Sequence, residues 1–175
     1  MLVRMISPAA TRKHSAPMIW ILHLVTRSLL GFLMQPAAAA ELPYATDLAR
    51  HAEEAADHGK VLVVLYGTRT CPWCAKVRQN YLAPLTRNPE LAKRLAIIEV
   101  DPEVTLPLND FAGQATNHRA FAGAQRVRMV PTVQFYGKGG VRLADPLVGM
   151  PSEDFYGTYL DQRLAVAAER IKKMP

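Results

Sequence analysis

The feature that most constrains the fold is a short apolar run that ends just before a pair of cysteines. Residues 61–66 read VLVVLY, an unbroken β-branched and apolar stretch that predicts a strand buried on both faces. A four-residue turn separates this run from Cys71-Pro72-Trp73-Cys74, which holds both cysteines of the chain. Pro72 suits the first position of a helix, where a missing N–H costs no hydrogen bond. The motif is therefore expected where a buried strand meets a helix.

This position gives the two cysteines different chemistry. Backbone N–H groups at a helix start lack partners, and together with the helix dipole they favour a thiolate at Cys71. Cys74 lies one turn further on, where it can close a disulfide after Cys71 has attacked a substrate. We therefore predict Cys71 and Cys74 as the catalytic residues and the redox-active disulfide. Pro72 and Trp73 are predicted as supporting residues that tune the redox balance.

Two other interpretations of the cysteine pair stay open. The pair can be a structural disulfide without turnover, or half of a zinc site completed by two of His51, His58 and His118. Haem attachment does not fit, because the residue after Cys74 is alanine rather than histidine. We expect neither a cofactor nor a metal.

The remaining pattern predicts one α/β domain with a mixed central sheet between helices, in three α/β/α layers. Helices are predicted over residues 46–58, 72–82, 88–95, 116–124 and 152–173, with Thr46 and Ser152 as caps and a break near Pro84. Strands are predicted over residues 61–66, 96–100, 131–136 and 141–148, with a glycine hairpin turn at 137–140 and an irregular segment at 102–113. Early strand–helix alternation implies parallel strands, and the hairpin adds an antiparallel pair.

The positive charge of the chain is concentrated at its beginning. The 175 residues carry a formal net charge of +6, from 21 basic and 15 acidic residues. Four of the basic residues and none of the acidic ones fall in residues 1–40, which leaves 17 basic against 15 acidic residues in the rest. A nucleic-acid-binding domain would carry a basic patch of its own. We therefore expect no nucleic-acid partner.

Residues 1–40 have the pattern of a secretory signal peptide. A positive start is followed by an apolar run over residues 16–34, and Ala38 and Ala40 suit a small-residue cleavage site. Cleavage there would leave residues 41–175 as the mature domain, exported to the oxidising periplasm. Arg27 interrupts the apolar run, which disfavours a stable membrane span. An uncleaved anchor in the inner membrane is the alternative, and it would be the only membrane contact of the chain.

A second signal is Val130-Pro131-Thr132, where a proline opens a predicted strand. Proline is confined to edge or first positions of a strand, and X–Pro bonds adopt the cis form at low cost. If Pro131 is cis and faces Cys71, it keeps a strand edge open, and Val130 offers backbone groups to an extended substrate. A plain trans proline in a loop is the alternative.

From residue 46 to residue 171 the chain resembles the thioredoxin fold, with the cysteine motif, the Val-Pro-Thr segment, the glycine hairpin and the closing helix in register. More closely, it resembles exported bacterial thioredoxin-like proteins of the SoxW type. The segments that carry this closer resemblance are the Cys-Pro-Trp-Cys motif, residues 110–113 (DFAG), 126–129 (RVRM) and 149–155 (GMPSEDF). The resemblance implies that Cys71 attacks, Cys74 resolves and Pro131 is the cis-proline of the family.

This resemblance also implies a function. We expect an exported thiol–disulfide oxidoreductase that reduces protein disulfides or sulfur adducts, with protein thiols and disulfides as partners. Because the periplasm is kept oxidising, the electrons would come from a membrane donor. A monomer is expected. A disulfide oxidant or isomerase, and a non-catalytic binding module braced by a structural disulfide, remain the alternatives.

The chain departs from thioredoxins at their buried charges. The positions of the family's buried aspartate and its partner lysine are held by Leu65 and Ile97. Glu99 is the nearest acid, and strand alternation places it on the same face as Ile97.

Other side chains near the motif have two interpretations each. Trp73 is either a platform that faces the substrate or a shield over the disulfide. Arg119, Arg126 and Arg128 either steer an acidic partner or form a solvated basic face. His118 is expected on the surface of its helix.

Overall fold

The sheet is built around the apolar run, which forms its central strand. A computed structural model describes residues 41–174, so the predicted signal segment lies outside the described residues. The strands are β1 (Val61–Tyr66), β2 (Leu95–Val100), β3 (Pro107–Asn109), β4 (Ala115–Asn117), β5 (Thr132–Tyr136) and β6 (Leu147–Val148). The helices are α1 (Leu48–Asp57), α2 (Pro72–Lys76), α3 (Ala83–Arg87), α4 (Pro89–Ala92), α5 (His118–Ala124) and α6 (Tyr156–Ile171). A π-helical segment (Val77–Leu82) joins α2 to α3, and a 3-10 turn (Lys138–Gly140) follows β5.

The main sheet has the strand order β2-β1-β5-β6 and mixes both strand directions. β1 pairs with β2 in parallel and with β5 antiparallel, and β5 pairs antiparallel with β6. On the outer side of β2, Ala45 N donates to Glu99 O and Glu99 N to Pro43 O, each at 2.8 Å. β1 is thus hydrogen-bonded on both sides, as its uninterrupted apolar sequence predicts.

Two apolar clusters lie on opposite faces of this sheet and give three layers. Val61, Val63 and Leu65 point into a cluster closed by α6 and by the helical segment 72–87. The alternate residues of β1 point into a second cluster closed by α1 and α5. Every residue of β1 is at most 1% exposed, and burial of each large apolar side chain contributes roughly 1.5–3 kcal/mol. The predicted three-layer α/β/α thioredoxin-like architecture is confirmed.

The helix boundaries differ from those predicted at three places. Asp47, not Thr46, caps α1, because its carboxylate accepts the Arg50 N–H at 2.9 Å. The helical segment continues past Pro84 to residue 87, since this proline occupies the start of α3, where helices tolerate it. α6 begins at residue 156 rather than at Ser152. Ahead of it, the Glu153 carbonyl accepts a hydrogen bond from the hydroxyl of Tyr81 at 2.9 Å, which holds the preceding turn against the π-helical segment.

The strands after β2 also differ from the prediction. Residues 107–117, expected to be irregular and then helical, form the β3–β4 hairpin. Its turn is held by the Asp110 carboxylate, which accepts the N–H groups of Ala112 and Gln114. The predicted strand 141–148 is reduced to one bridge at Arg142 and to β6. Pro146 lies just before β6, and a proline cannot donate to a strand ladder.

His118 is buried at 1% exposure, so the prediction of a surface position is wrong. Asn117 caps α5, and this places His118 on the first turn against the end of β2. Its Nδ1 accepts the Asp101 N–H at 3.0 Å, and its Nε2 lies 2.8 Å from the Ala45 carbonyl oxygen. Burial lowers the pKa of His118. Both ring nitrogens are therefore occupied within the fold.

Candidate active site

The cysteine motif follows β1 after the turn at residues 67–70 and opens the helical segment 72–87. Cys71 has extended backbone angles and caps α2, and its sulfur accepts the Cys74 N–H at 3.1 Å. The Cys71 side chain therefore does the work of a helix cap, satisfying an N–H that would otherwise lack a partner. Cys71 is half-buried, whereas Cys74 is fully buried.

The two thiols differ because only Cys74 is enclosed by protein. Burial raises the pKa of Cys74 to about 12, and a hydrogen bond with Cys71 adds to the increase. The Thr68 N–H and the positive charge of Arg78 act in the opposite direction and favour the Cys74 thiolate. The buried thiol thus needs help from neighbouring groups before it can react.

A buried ion pair lies beside Cys74. Arg78 Nε donates to Glu99 Oε2 at 2.8 Å, and Arg78 Nη2 donates to Glu99 Oε1. The two side chains are only 10% and 3% exposed. Gly67 brings the pair close to the thiol: a Cβ built on Gly67 would lie 3.3 Å from Cys74 Cβ and 3.4 Å from Glu99 Oε1.

This ion pair provides buried charges beside Cys74, although the buried aspartate and lysine of thioredoxins are absent from this chain. Leu65 and Ile97 belong to the apolar cluster, and the charges come from other positions instead. Glu99 is the register partner of Leu65 on β2. The sequence identifies Glu99 as the nearest acid but does not identify Arg78 as its partner. The available signal was its position four residues after Cys74, on the same face of the predicted helix.

The supporting residues predicted around the cysteines lie at the same end of the sheet. Trp73 is 50% exposed, and the Lys76 ammonium lies 4.9 Å from its ring centroid. The Val130–Pro131 bond is cis and leads into β5, whose first residue, Thr132, pairs with the last residue of β1. Pro72 is exposed, Val130 is half-buried and Pro131 is buried.

Sequence reasoning also missed Tyr156, at the start of α6. Its ring packs against Tyr81 with 4.7 Å between centroids, and its hydroxyl is buried without a hydrogen-bond partner among residues 41–174. Burial raises the pKa of Tyr156, and Cys74 is close enough to contribute. A lone tyrosine after a loop gives no sequence signal of such a position.

Within residues 41–174, no group of three or more histidine, cysteine or acidic side chains is placed to hold a metal ion. The three histidines considered for zinc are dispersed: His118 is bonded internally, His51 lies on α1, and His58 is exposed at the end of α1. No helix in the described part of the chain is long and apolar enough to cross a membrane.

The chain matches one protein-family model and is similar to several solved structures. A family model described as a thioredoxin-like domain matches residues 48–163. Similar solved structures include a thioredoxin h mutant from poplar, with 17% identity, 82% of this chain and 95% of that chain covered, and a TM-score of 0.49. Mitochondrial thioredoxin 3 from Saccharomyces cerevisiae has 16% identity, coverages of 74% and 98%, and a TM-score of 0.49. The periplasmic thioredoxin SoxS from Paracoccus pantotrophus has 20% identity, coverages of 62% and 99%, and a TM-score of 0.41. A search of curated proteins finds no match.

The first prediction concerns the reactivity of the two thiols. At pH 8, iodoacetamide should modify the single cysteine of the C74S variant at least about 100-fold faster than that of the C71S variant. Burial is the largest cause of the raised pKa of Cys74 and persists in the C71S variant, and each unit by which the pKa is raised further above the pH lowers the thiolate fraction about tenfold. Mass spectrometry after timed quenching gives both rates. The same reaction in 8 M urea is the control, where the rates should converge; equal rates in the folded variants would contradict the assignment.

The second prediction concerns the buried ion pair. Glu99→Gln should lower the free energy of unfolding by about 3–5 kcal/mol, because Arg78 is then buried without a countercharge. Urea denaturation measures the change. The matched control is Glu54→Gln, which breaks an exposed pair with Arg50 and should cost less than about 1 kcal/mol. Equal losses of unfolding free energy for the two substitutions would show that the buried pair stabilises the fold no more than the exposed pair does.

Proposed function

Because the chain belongs to the thioredoxin-like domain family, we propose that it is a thiol–disulfide oxidoreductase working through a Cys71/Cys74 dithiol–disulfide cycle. The observation that carries this proposal is the asymmetry of the pair. One sulfur is partly accessible and caps a helix, and the other is fully buried beside it. Thiol–disulfide exchange by a cysteine pair needs one thiol that contacts the substrate and a second thiol that the substrate does not contact.

The cycle transfers two electrons. The Cys71 thiolate attacks one sulfur of a substrate disulfide, forms a mixed disulfide and releases the first substrate thiolate. Cys74 then loses its proton and attacks the Cys71 sulfur, which forms the internal disulfide and releases the second substrate thiolate. The substrate disulfide is reduced to two thiols, and the two protein thiols are oxidised.

The second step depends on the groups around Cys74. Its pKa of about 12 means that the thiol must give up its proton before it can attack. Arg78 lies one helical turn away, and its positive charge favours the thiolate. We assign Arg78 and Glu99 as positioning residues: Glu99 holds the guanidinium of Arg78 in place by two hydrogen bonds.

The proposed direction is reduction of protein disulfides or sulfur adducts outside the cytoplasm. The location outside the cytoplasm is supported by the basic and apolar pattern of residues 1–40, with Ala38 and Ala40 before the domain. In an oxidising compartment a reductase must be recharged, and a membrane donor of reducing equivalents would recharge it.

The third prediction separates the roles of the two cysteines. Cys71→Ser should abolish reduction of a protein disulfide such as that of insulin, because no nucleophile meets the substrate. Cys74→Ser should instead accumulate mixed disulfides, visible as dithiothreitol-sensitive adducts on non-reducing gels. Turnover at the wild-type rate in Cys71→Ser would refute the cycle. A wild-type disulfide that resists mild reductant would favour a binding module with a structural disulfide.

The fourth prediction concerns the direction of electron transfer between the cysteine pair and its substrate. Equilibration of the 41–175 chain in glutathione or dithiothreitol buffers, followed by tryptophan fluorescence, should give a potential nearer about −270 mV than about −120 mV. The more negative value is that of a reductant. A value near about −120 mV would overturn the reductase proposal in favour of an oxidant while leaving the cysteine cycle intact.

A further inference from the structure

A groove bordered by arginines begins next to the cysteine end of the sheet. It lies between residues 125–129, which lead into Val130, and the edge strand β6, and has a volume of about 330 Å³. We call it the arginine groove. The residues that define it here are Arg126, Arg128, Met129, Gln134, Arg142 and Val148.

The arginines of the groove are not neutralised within the fold. None of the ion pairs formed among residues 41–174 involves Arg126, Arg128 or Arg142, and all three side chains are exposed. Arg119, in contrast, is tied to the backbone carbonyl of Glu103. Because residues 41–175 are nearly balanced in charge, this positive potential is local to the groove.

Arg126 has a left-handed backbone conformation. Its φ of 58° is the one positive φ of a non-glycine residue in the described part of the chain. It follows α5, where the N–H groups of residues 126 and 127 bond back to the Gly123 and Ala122 carbonyls. Glycine is the residue favoured at this position of a helix end. An arginine here carries a backbone cost that glycine would avoid, and such costs concentrate at functional sites.

The floor of the groove is held by buried polar contacts. Gln134 and Thr132 are 4% and 3% exposed. The Tyr136 hydroxyl donates to Gln134 Oε1, and Thr132 Oγ1 donates to the Met129 carbonyl at 2.7 Å. Arg142 Nη2 donates to Gln125 Oε1 at 3.3 Å, which fixes the third arginine. The floor of the groove is therefore preformed, so ligand binding needs to order mainly the exposed arginine side chains.

The groove is suited to an extended chain. Among the described residues, β6 is the last strand of the main sheet and pairs only on its β5 side. Met129 and Val148 expose 58% and 48% of their surfaces and give apolar contacts along the groove. An extended peptide can pair with such an edge while its side chains meet the groove.

We propose that the arginine groove binds an acidic, extended segment flanking the disulfide of a protein substrate. The proposal rests on the proposed function, since it names the substrate class for the Cys71/Cys74 cycle. Met129 is two residues before Pro131, so a segment in the groove lies next to the end of the sheet that carries the cysteines. Three arginines line this one groove, and their positive charges complement an extended segment that carries several glutamates or aspartates. Residues 41–175 carry 17 basic and 15 acidic residues, whereas nucleic-acid-binding domains are strongly basic, so a peptide is favoured over nucleic acid.

The fifth prediction tests the groove by binding, which does not require turnover. The probes are three ten-residue peptides without cysteine that carry four glutamates, four glutamines or four lysines at the same positions. Calorimetry with the 41–175 chain at 20 mM salt should give at least about tenfold tighter binding of the glutamate peptide than of the glutamine peptide. The preference should shrink at 0.5 M salt, because exposed charges are then screened.

The test variant is R126Q/R128Q, whose side chains make no hydrogen bond or ion pair with another described residue. It should lose the preference for the glutamate peptide. The matched control R87Q/R170Q removes two exposed positive charges elsewhere and should keep it. Loss of the preference in both variants would mean a net-charge effect and overturn the proposal, as would equal binding of the glutamate and glutamine peptides. Equally tight binding of a ten-nucleotide oligothymidine would overturn the peptide assignment.

A companion experiment separates this proposal from the proposed function. The same three sequences, each extended by two cysteines joined in a disulfide, are mixed with the pre-reduced chain, and released thiols are counted in a single turnover. Faster reduction of the glutamate peptide, lost in R126Q/R128Q, supports both proposals. Reduction of all peptides at one rate upholds the oxidoreductase and overturns the groove. Selective binding without any reduction upholds the groove and overturns the oxidoreductase.

Discussion

The structure depends on one strand that is buried on both faces. β1 is hydrogen-bonded to β2 on one side and to β5 on the other, and its side chains enter both apolar clusters. Because no residue of β1 meets solvent, its position and register are strongly constrained. The turn that follows β1 therefore begins at a residue whose position is held by both neighbouring strands. It presents Cys71 at a helix start while Cys74 is drawn into the interior.

The chemistry of the site follows from this difference in depth. The Cys71 sulfur caps a helix and is partly accessible, whereas the Cys74 thiol is buried and has a pKa of about 12. In the proposed cycle, only Cys71 can therefore attack the substrate. The Arg78–Glu99 pair supplies buried charge beside Cys74, although the sheet positions directly behind the motif are apolar. A buried ion pair adds little stability relative to apolar packing. In the proposed cycle, the pair acts instead through the positive charge that Arg78 places near the Cys74 thiol.

The proposed chemistry and the proposed substrate selectivity belong to different parts of the molecule. The cysteine motif belongs to the turn after β1, whereas the arginine groove is formed by the segment before Pro131 and by the sheet edge at β6. The two meet where β1 and β5 pair at residues 66 and 132. A family that shares one reaction can vary its substrates through such a neighbouring surface without altering the reacting thiols.

The sequence alone determined the central strand, the position of the cysteine pair at a helix start, the parallel pairing of β1 with β2 and the antiparallel pairing of β5 with β6. These features are local, since periodicity, proline positions and turn residues report them directly. Only the tertiary structure decided the burial of His118, the pairing of Arg78 with Glu99 and the shortening of the strand expected at residues 141–148. Each of these depends on segments far apart in the chain that meet when the layers pack. The sequence pattern of one segment does not specify which residue of a distant segment will contact it.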